Sequence, residues 1–468
     1  MSKTQSINTG GNANDGTGDP LRTAFNKINS NFSAIKSDLC TAPRVVLVGD
    51  SITAIHTALG SNKNTYHDPR GYFVWLQVRL GFPFSFTVGN NGSQGLIGQN
   101  AGIIGDTTTG ILARLDSDVI AKNPDIVFVH AGTNDITGGA SFATITGNLN
   151  AIYTTLLNQG ILVTVMPLLP RSGAQNWGTT AARQLHHAVS NWIREKALTT
   201  QGMILIDGSA AMTDPASSTG DARTNYTVDG LHPSPIGGFY IGDAAYKVFK
   251  TITRPAATVC YSPSDTYDAT NNPAGNLLTN GQLAGTGGTV GTGATGQAAD
   301  NWSLSRTAGT AVTAAGSKVS RTDGLPGSLQ QIVVSCNGSG STDGTVTFTT
   351  TPSSITSNIA TNNWYEALLE IDVSATTNSA SMIEGIYLEL WDTTATVGSR
   401  VRCLNNYTGF KFPDAAWSGI LKTPPLQLAG TTGLRYKLLV DVDETKNDSV
   451  TIKIGRCTVR QMVTPPTF

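Results

Sequence analysis

The chain has 468 residues, of which 39% are hydrophobic and only 13% are charged, and its formal net charge is −1. This length exceeds that of one ordinary domain and predicts two large domains. The sequence contains no long basic run and no stretch of about 18 apolar residues, so neither nucleic-acid binding nor membrane insertion is expected.

The first 40 residues are predicted to form a separate segment. Asp19-Pro20 is typical of a helix start, and apolar residues then recur at heptad-like spacing: Leu21, Phe25, Ile28, Phe32, Ile35 and Leu39. So short a helix is marginal alone in water. It is expected to pack either on copies of itself or on the following domain. The opening lacks the apolar core of a signal peptide, so synthesis in a cytoplasm is expected.

Residues 41–253 alternate between buried-strand and helix patterns. The apolar runs at 44–48, 125–130, 161–168 and 203–207 predict strands that are buried on both faces. Helical spacing follows at 73–80, 111–121, 149–157, 181–197 and 237–249. This alternation predicts an α/β domain with a parallel sheet and helices on both sides.

The rest of the chain has a different pattern. Residues 254–280 are rich in Pro, Ser, Asn and Thr and are interpreted as a linker. Residues 281–468 contain short alternating runs between Gly, Thr, Ser and Asn clusters, which predicts an antiparallel β-sandwich of jelly-roll type.

The five cysteines are scattered and form no CxxC pair. Neither a disulfide framework nor a zinc site is therefore expected. Buried, reduced thiols are the preferred interpretation of these residues. No residue cluster indicates a metal, and no cofactor is expected.

Three polar segments follow predicted strands of the first domain. Gly49-Asp50-Ser51 ends the first strand, Asn90-Asn91-Gly92-Ser93-Gln94-Gly95 is a glycine-rich turn, and Gly132-Thr133-Asn134-Asp135 follows a later strand. Ligands bind such folds at the carboxyl ends of strands. Taken alone, the serine is interpreted as a cap and the glycine-rich segment as an ordinary turn, and Asn134 is equally compatible with a helix cap.

A fourth segment, Asp229-Gly230-Leu231-His232-Pro233-Ser234, brings an acid and a histidine close together. A carboxylate three residues before an imidazole can fix the ring tautomer and stabilise the imidazolium that forms when the ring accepts a proton. Of the other histidines, His186 and His187 fall in helical sequence and are interpreted as structural.

Taken in order, these four segments resemble the sequence blocks of the SGNH (GDSL-like) hydrolase family over about residues 42–250. The resemblance implies a flavodoxin-like, three-layer fold and a serine esterase. It also implies that Ser51 is the nucleophile, His232 the general base and acid, and Asp229 the residue that orients His232.

The same resemblance implies an oxyanion hole made of the Ser51 N–H, the Gly95 N–H and the Asn134 side chain. Gly95 is preferred to Gly92, although Ser93-Gln94 departs from the family's usual filling of that block. Asp50, His130 and Asp135 are candidates for the surrounding pocket, and the two aspartates are expected to fix loops rather than to react.

The first 30 residues resemble the N-terminal segment of bacteriophage tail fibre and tailspike proteins, which attaches the protein to the virion. The resemblance implies a virion location, contacts with tail or baseplate proteins through the N-terminus, and a homotrimer. The C-terminal sandwich resembles carbohydrate-binding modules in general pattern only, and core packing is the expected role of most of its aromatic residues.

The expected function is the removal of O-acetyl groups from a bacterial surface polysaccharide, either capsule or O-antigen. Acetyl is preferred to long acyl groups because the sequence shows no extended apolar lid. Two alternatives stay open at this point. One is an adhesin that binds glycan without catalysis, and the other is an esterase of lipase or lysophospholipase type.

Overall fold

A computed structural model describes residues 23–27, 42–59, 65–90, 96–255, 259–377, 382–393, 400–405, 409–430 and 433–463. Residues 23–27 are helical and fall within the predicted N-terminal helix, whose other residues lie outside the described ones. No helix in the described part of the chain is long and apolar enough to cross a membrane.

The first domain contains nine strands and nine α-helices among its described residues. The strands are β1 (Val45–Gly49), β2 (Thr57–Leu59), β3 (Thr65–His67), β4 (Val88–Asn90), β5 (Leu96–Gly98), β6 (Asn100–Gly102), β7 (Ile126–His130), β8 (Leu162–Val165) and β9 (Met203–Leu205). The helices are α1 (Ser51–Ala54), α2 (Tyr72–Leu80), α3 (Thr108–Ala113), α4 (Leu115–Asp118), α5 (Thr133–Thr137), α6 (Phe142–Asn158), α7 (Thr180–Thr199), α8 (Gly208–Met212) and α9 (Pro235–Phe249).

Five of these strands form one parallel sheet in the order β6-β1-β7-β8-β9. Numbered along the chain, this order is 2-1-3-4-5, which is the order of flavodoxin-like folds. The predicted α/β domain with a flavodoxin-like parallel sheet is therefore confirmed. In such a sheet, ligands bind where the strand order reverses, and here that point lies between the ends of β1 and β7.

Helices cover both faces of the sheet because β1 is apolar at every position. Val46 and Val48 belong to the core on the side of α6 and α7. Val45 and Leu47 belong to the core on the side of α2 and α9. Side chains alternate between the two faces of a strand, so a continuous apolar run serves a sheet that is buried on both sides.

The helix predicted over 111–121 is interrupted. It is divided into α3, α4 and a 3-10 turn at Ile120–Lys122. Arg114 leaves the helical conformation between α3 and α4 (φ −108°, ψ 8°). Its guanidinium donates to Asp106 Oδ2 and to the Gly49 carbonyl oxygen over 2.8 and 3.2 Å, so contacts at the end of β1 accompany the break.

The C-terminal region is a sandwich of two large, mainly antiparallel sheets. Its strands are β10 (Gly287–Val290), β11 (Ala294–Gly296), β12 (Ala298–Ala308), β13 (Val312–Ser320), β14 (Ser328–Asn337), β15 (Asp343–Thr350), β16 (Trp364–Val373), β17 (Ile383–Asp392), β18 (Arg400–Cys403), β19 (Trp417–Lys422), β20 (Leu426–Gln427), β21 (Leu434–Asp443) and β22 (Asn447–Gln461).

One sheet runs β10-β12-β15-β21-β17-β18-β3-β2, and the other runs β11-β13-β14-β22-β16-β19, with β20 paired to β16. The predicted C-terminal antiparallel β-region is confirmed. Parallel pairs occur where β10 joins β12, β11 joins β13 and β18 joins β3.

The two domains share a sheet and a core. Strands β2 and β3 come from the first domain yet extend the eight-stranded sheet of the sandwich, because β3 pairs with β18. Trp75 on α2 is fully buried, and its ring packs edge-on against Phe412 and Trp417 of the sandwich. The first domain therefore contributes both backbone hydrogen bonds and apolar surface to the second.

Part of the segment predicted to be a linker also contacts the sandwich. Val259 and Cys260 are buried, and the Cys260 N–H donates to Thr458 Oγ1 over 2.7 Å. The Leu277 N–H donates to the Val459 carbonyl oxygen over the same distance. From residue 259 onward the described part of this segment thus runs against β22. Cys260, Cys336, Cys403 and Cys457 are buried and form no disulfide, and Cys40 lies outside the described residues.

Candidate active site

Ser51 lies at the carboxyl end of β1, where the chain turns directly into the short helix α1. Asp50 caps this helix: it has extended backbone angles, and its Oδ1 accepts a hydrogen bond from the Ile52 N–H over 2.9 Å. Gly49 is required just before the cap, because an added Cβ would lie 2.3 Å from the His130 carbonyl oxygen. The sequence Gly-Asp-Ser thus allows a tight strand-to-helix turn that carries the serine.

The loop before α9 brings His232 and Asp229 to this serine. His232 Nε2 lies 2.8 Å from Ser51 Oγ, and His232 Nδ1 lies 2.7 Å from Asp229 Oδ2. An ionised carboxylate only accepts hydrogen bonds, so Nδ1 carries the ring proton and Nε2 is left to accept the proton of the Ser51 hydroxyl. The structure therefore brings together the three residues predicted to form the triad.

Hydrogen bonds also fix the carboxylate of Asp229. Its Oδ1 accepts from the backbone N–H groups of Leu231 and His232 over 2.9 and 2.8 Å. Burial acts to raise the pKa of Asp229, but hydrogen bonds from the His232 side chain and from these backbone groups outweigh it and lower the pKa below the ordinary value. Asp229 is thus kept ionised, as a residue that orients an imidazole must be.

The triad is open to solvent on one side. The side chains of His232 and Asp229 are 25% and 46% exposed, whereas Ser51 is 8% exposed at the base of the site. A site of this kind admits a substrate that is itself large, because the histidine and the aspartate lie at the surface rather than in a tunnel.

Two of the predicted oxyanion donors face the same edge of the sheet. Among the described residues, no acceptor is found for the Ser51 N–H, which begins α1. Asn134 lies in the first turn of α5, after β7, and its side-chain amide donates one hydrogen to the Asp106 carbonyl oxygen over 2.9 Å. That bond orients the amide and leaves its second N–H for a ligand. The third predicted donor, Gly95, lies outside the described residues, as does Gly92.

Asp135 is buried next to Asn134 and supports the loop. Its carboxylate accepts from the Thr108 N–H over 2.9 Å and from the Thr108 hydroxyl over 2.5 Å. These bonds tie α5 to the first residue of α3, which begins two residues after Asp106. Asp135 therefore holds α5 in place, and the carboxylate contacts Thr108 rather than the triad.

Asp50 and His130 lie in the interior beneath the nucleophile. Asp50 is fully buried, and burial raises its pKa to about 7, against the hydrogen bond from Ile52 and the positive charge of Arg171. His130 is 1% exposed, and burial together with the nearby His56 lowers its pKa to about 4. His130 was a candidate for the pocket lining, but the structure places its ring away from solvent.

Arg171 is a residue of the site region that the sequence analysis did not identify. It is 6% exposed, its guanidinium donates to Thr133 Oγ1 over 2.8 Å and to Thr137 Oγ1 over 3.0 Å, and its Cζ lies 3.9 Å from the ring centroid of Trp177. Arg171 thereby holds α5, which carries Asn134. The sequence signal for Arg171 is its position: it is a charged residue directly after the run MPLLP, which follows a buried strand.

No group of three or more His, Cys, Asp or Glu side chains able to hold a metal is found in the part of the chain that the structure describes. The chemistry available at this edge of the sheet is that of a serine, a histidine and a carboxylate. A hydrogen-bonded serine, base and orienting acid form the arrangement of nucleophilic acyl transfer.

Residues 47–238 match the model of the GDSL-like Lipase/Acylhydrolase family. This range contains Ser51, Asn134, Asp229 and His232, and it ends within α9. None of the curated proteins compared with the chain matches it.

Several solved structures are similar to the first domain. A GDSL-like lipase from Bacteroides thetaiotaomicron is 21% identical, with 48% of this chain and 96% of that chain covered and a TM-score of 0.33. The acetyl xylan esterase AlAXEase is 23% identical, with coverage of 44% and 98% and a TM-score of 0.34. A catalytic mutant of the acetylxylan esterase Axe2 from Geobacillus stearothermophilus is 20% identical, with coverage of 44% and 94% and a TM-score of 0.33. Sequence identities and TM-scores this low say nothing about the substrate of this chain.

Proposed function

We propose that this protein is a serine esterase that removes O-acetyl groups from a bacterial surface polysaccharide, and the match of residues 47–238 to the GDSL-like Lipase/Acylhydrolase model supports the esterase part of the proposal. The observation that carries the proposal is the complete hydrogen-bonded chain from Ser51 through His232 to Asp229 in a site that is open at the surface. An ester group on a polymer reaches an open site more readily than it reaches a site at the end of a deep tunnel.

In the proposed mechanism, Ser51 Oγ attacks the acetyl carbonyl carbon while His232 Nε2 accepts its proton. The N–H groups of Ser51 and Asn134, with Gly95 as the expected third donor, stabilise the oxyanion of the tetrahedral intermediate. His232 then returns the proton to the sugar oxygen as the C–O bond breaks, which leaves an acetyl group on Ser51. Water deprotonated by His232 hydrolyses this intermediate and releases acetate.

The experiment is the measurement of acetate release from purified O-acetylated capsular and lipopolysaccharide glycans. We expect release by the wild-type protein and none by Ser51→Ala. Ser117→Ala, which removes a hydroxyl from α4 outside the triad, is the matched control and should behave as wild type. Failure of the wild type on a broad panel, together with activity on p-nitrophenyl acetate, would show that the polysaccharide is the wrong substrate.

A second candidate function, hydrolysis of longer acyl esters, is favoured by two exposed apolar side chains. Ile103 and Ile104 are 47% and 81% exposed, and the Ile103 N–H donates to the Gly49 carbonyl oxygen over 3.0 Å, two residues before the nucleophile. If they bind an acyl chain, rates on p-nitrophenyl esters rise with chain length, and Ile104→Ser removes that rise. Leu198→Ser, which changes an exposed leucine at the far end of α7, is the control. A preference for acetate excludes this candidate.

The proposed location is the tail of a bacteriophage, with synthesis in the host cytoplasm and attachment to tail or baseplate proteins through the N-terminal segment. The resemblance of the first 30 residues to tail fibre and tailspike proteins and the apolar heptads at 21–39 support this proposal. A homotrimer is expected. Sedimentation equilibrium of the full chain that gave a monomer would count against the tailspike assignment.

A further inference from the structure

The outer face of the eight-stranded sheet carries a group of charged residues around one tryptophan. Residues 386, 388 and 390 of β17 point into the sandwich core, so residues 387, 389 and 391 point to the opposite face. We call the group on this face the Trp391 array, and its members are Glu389, Trp391, Arg400, Arg402, Arg435 and Lys437.

The register of the sheet fixes the arrangement of the Trp391 array. Trp391 lies directly opposite Arg435 of β21 on one side and Arg400 of β18 on the other. Two residues earlier on β17, Glu389 lies opposite Lys437 and Arg402 in the same way. The array therefore consists of two parallel rows that cross three neighbouring strands, with the cations on the two outer strands.

The array concentrates positive charge in a chain that has little of it. The protein has 31 Lys and Arg among 468 residues and a formal net charge of −1. Among the residues that the structure describes, four cations of the array lie around the carboxylate of Glu389. Glu389 accepts hydrogen bonds from Arg402, with 2.8 Å to Nε. Neighbouring like charges on a sheet face are destabilising, so an external anion that completes the charge balance would be bound favourably.

Trp391 holds the cations in place. The guanidinium carbons of Arg400 and Arg435 lie 4.3 and 4.9 Å from the centre of its ring, and Lys437 Nζ lies 5.6 Å away. Cations over an indole face at these distances are attracted by its quadrupole. The Arg400 side chain is 38% exposed, so the array reaches the protein surface. Guanidinium groups bind carboxylates in a bidentate manner.

We propose that the Trp391 array binds the carboxylates of an acidic polysaccharide, and that this polymer is the substrate of the esterase. The second part rests on the proposed function. Uronic-acid units carry one carboxylate per sugar, which suits separate guanidinium forks, whereas nucleic acid requires longer basic surfaces. Two strand spacings, about 10 Å, separate β18 from β2, and β2 begins six residues after Ser51. The first domain therefore contributes strands to the same sheet that carries the array.

The test uses the full chain and polygalacturonate, an acidic polymer without acetyl groups, with neutral dextran as the comparison in affinity electrophoresis. We expect polygalacturonate to retard the protein and dextran to leave it unaffected. Arg435→Gln and Lys437→Gln should each weaken binding about tenfold, since a hydrogen bond to a charged group contributes on the order of one decade of affinity or more. Lys446→Gln, in the turn before β22, is the matched control, and the melting temperature of each variant reports folding.

Three results would overturn the inference: no retardation by polygalacturonate, equal weakening by Lys446→Gln, or binding of single-stranded DNA as tight as that of the polymer. Hydrolysis of p-nitrophenyl acetate by the wild-type protein is measured in parallel. Hydrolysis without polymer binding rejects the array and leaves the esterase in place. Polymer binding without hydrolysis supports the array as a glycan site and rejects the esterase function.

Discussion

Asp50 occupies an unusual position for a carboxyl group, because it is fully buried directly before the nucleophile. One oxygen caps α1, and the other has no hydrogen-bond partner among the described residues. Burial raises the pKa of Asp50 to about 7. The folded protein therefore retains a proton that the unfolded chain releases at lower pH, and stability must fall as the pH rises from about 4 through 7.

We predict that Asp50→Asn removes this part of the pH dependence. Asn caps helices as well as Asp does and carries no charge, so the variant should gain stability relative to wild type between pH 5 and pH 8. The gain between these pH values is about 3 kcal/mol, because about two units of the raised pKa lie above pH 5 and each unit corresponds to about 1.4 kcal/mol. Urea unfolding of both proteins at the two pH values measures it.

Asp118→Asn is the control for this prediction. Burial acts to raise the pKa of Asp118, but hydrogen bonds from Ser117 and Arg114 outweigh it and lower the pKa. The carboxylate is then ionised in both states at pH 5 and above, so its substitution should change stability equally at the two pH values. The same result for Asp50→Asn would show that Asp50 is not protonated in the folded protein.

At the scale of single residues, the sequence was informative where chemistry requires a particular side chain in a particular local context. Ser51, Asn134, Asp229 and His232 each follow a glycine or lie near one at a predicted strand end or loop, and the structure places the triad residues within hydrogen-bonding distance. Arg171 could not be identified in this way, since its role depends on contacts with residues 133 and 137, more than 30 positions away.

At the scale of elements, the loop between α8 and α9 sets the position of the base. Gly230 has a φ of +91°, and a Cβ there would lie 2.3 Å from the Ser172 carbonyl oxygen. The Ser172 N–H donates to the Gly230 carbonyl oxygen over 2.8 Å, so the loop is fixed against the segment that follows β8. Only Gly230 and Leu231 lie between Asp229 and His232. Any shift of the backbone at Gly230 therefore displaces both catalytic residues.

We predict that Gly230→Ala lowers kcat for p-nitrophenyl acetate about 100-fold, because a displacement of about 1 Å in a catalytic group has an effect of that size. Gly160→Ala is the matched control. Gly160 also has a positive φ, +74°, but no atom lies within 4 Å of its added Cβ, and it precedes β8 at the opposite edge of the sheet. Equal losses in the two variants would mean that backbone strain alone, and not the position of His232, explains the effect.

Element prediction succeeded where apolar periodicity was strong. The strands at 45–49 and 126–130 agree with the predicted runs to within one residue. The helix predicted at 111–121 failed to continue because Arg114 leaves the helical conformation and its guanidinium bonds to Asp106 and Gly49 instead. A periodicity of apolar residues cannot report such a side-chain contact, since the contact depends on where another strand ends.

At the scale of the whole molecule, the two domains are joined through Trp75. Its ring is fully buried against Phe239 of its own domain and against Phe412 and Trp417 of the sandwich, and its indole N–H donates to the Pro69 carbonyl oxygen over 2.7 Å. The cluster around Trp75 is continuous with the core of the sandwich. The domains should therefore unfold together.

We predict that Trp75→Ala destabilises the whole protein by about 3 to 5 kcal/mol, which is typical for the removal of a large aromatic side chain from a core. Calorimetry should show one unfolding transition in the wild-type protein and one in the variant, with a lower melting temperature in the variant. Two separate transitions, of which only one shifts, would contradict a shared core.

The sharing of elements between domains could not be predicted from the sequence. Residues 57–67 contain no alternating apolar pattern of the kind that marks a strand, yet β2 and β3 join the sandwich. Their strand conformation depends on pairing with β18, which lies more than 330 residues further along the chain. Short edge strands of this kind are defined by tertiary contacts and not by local propensity.

We propose that Ser51, activated by His232 and Asp229, is the nucleophile of an esterase. The most direct test is kcat/KM for p-nitrophenyl acetate in the wild-type protein and in Ser51→Ala at matched protein concentration. We predict activity in the wild-type protein and a loss of about 10⁴-fold or more in the variant, as in other serine hydrolases that lose a triad member. Activity of Ser51→Ala within tenfold of wild type would contradict the assignment of the nucleophile.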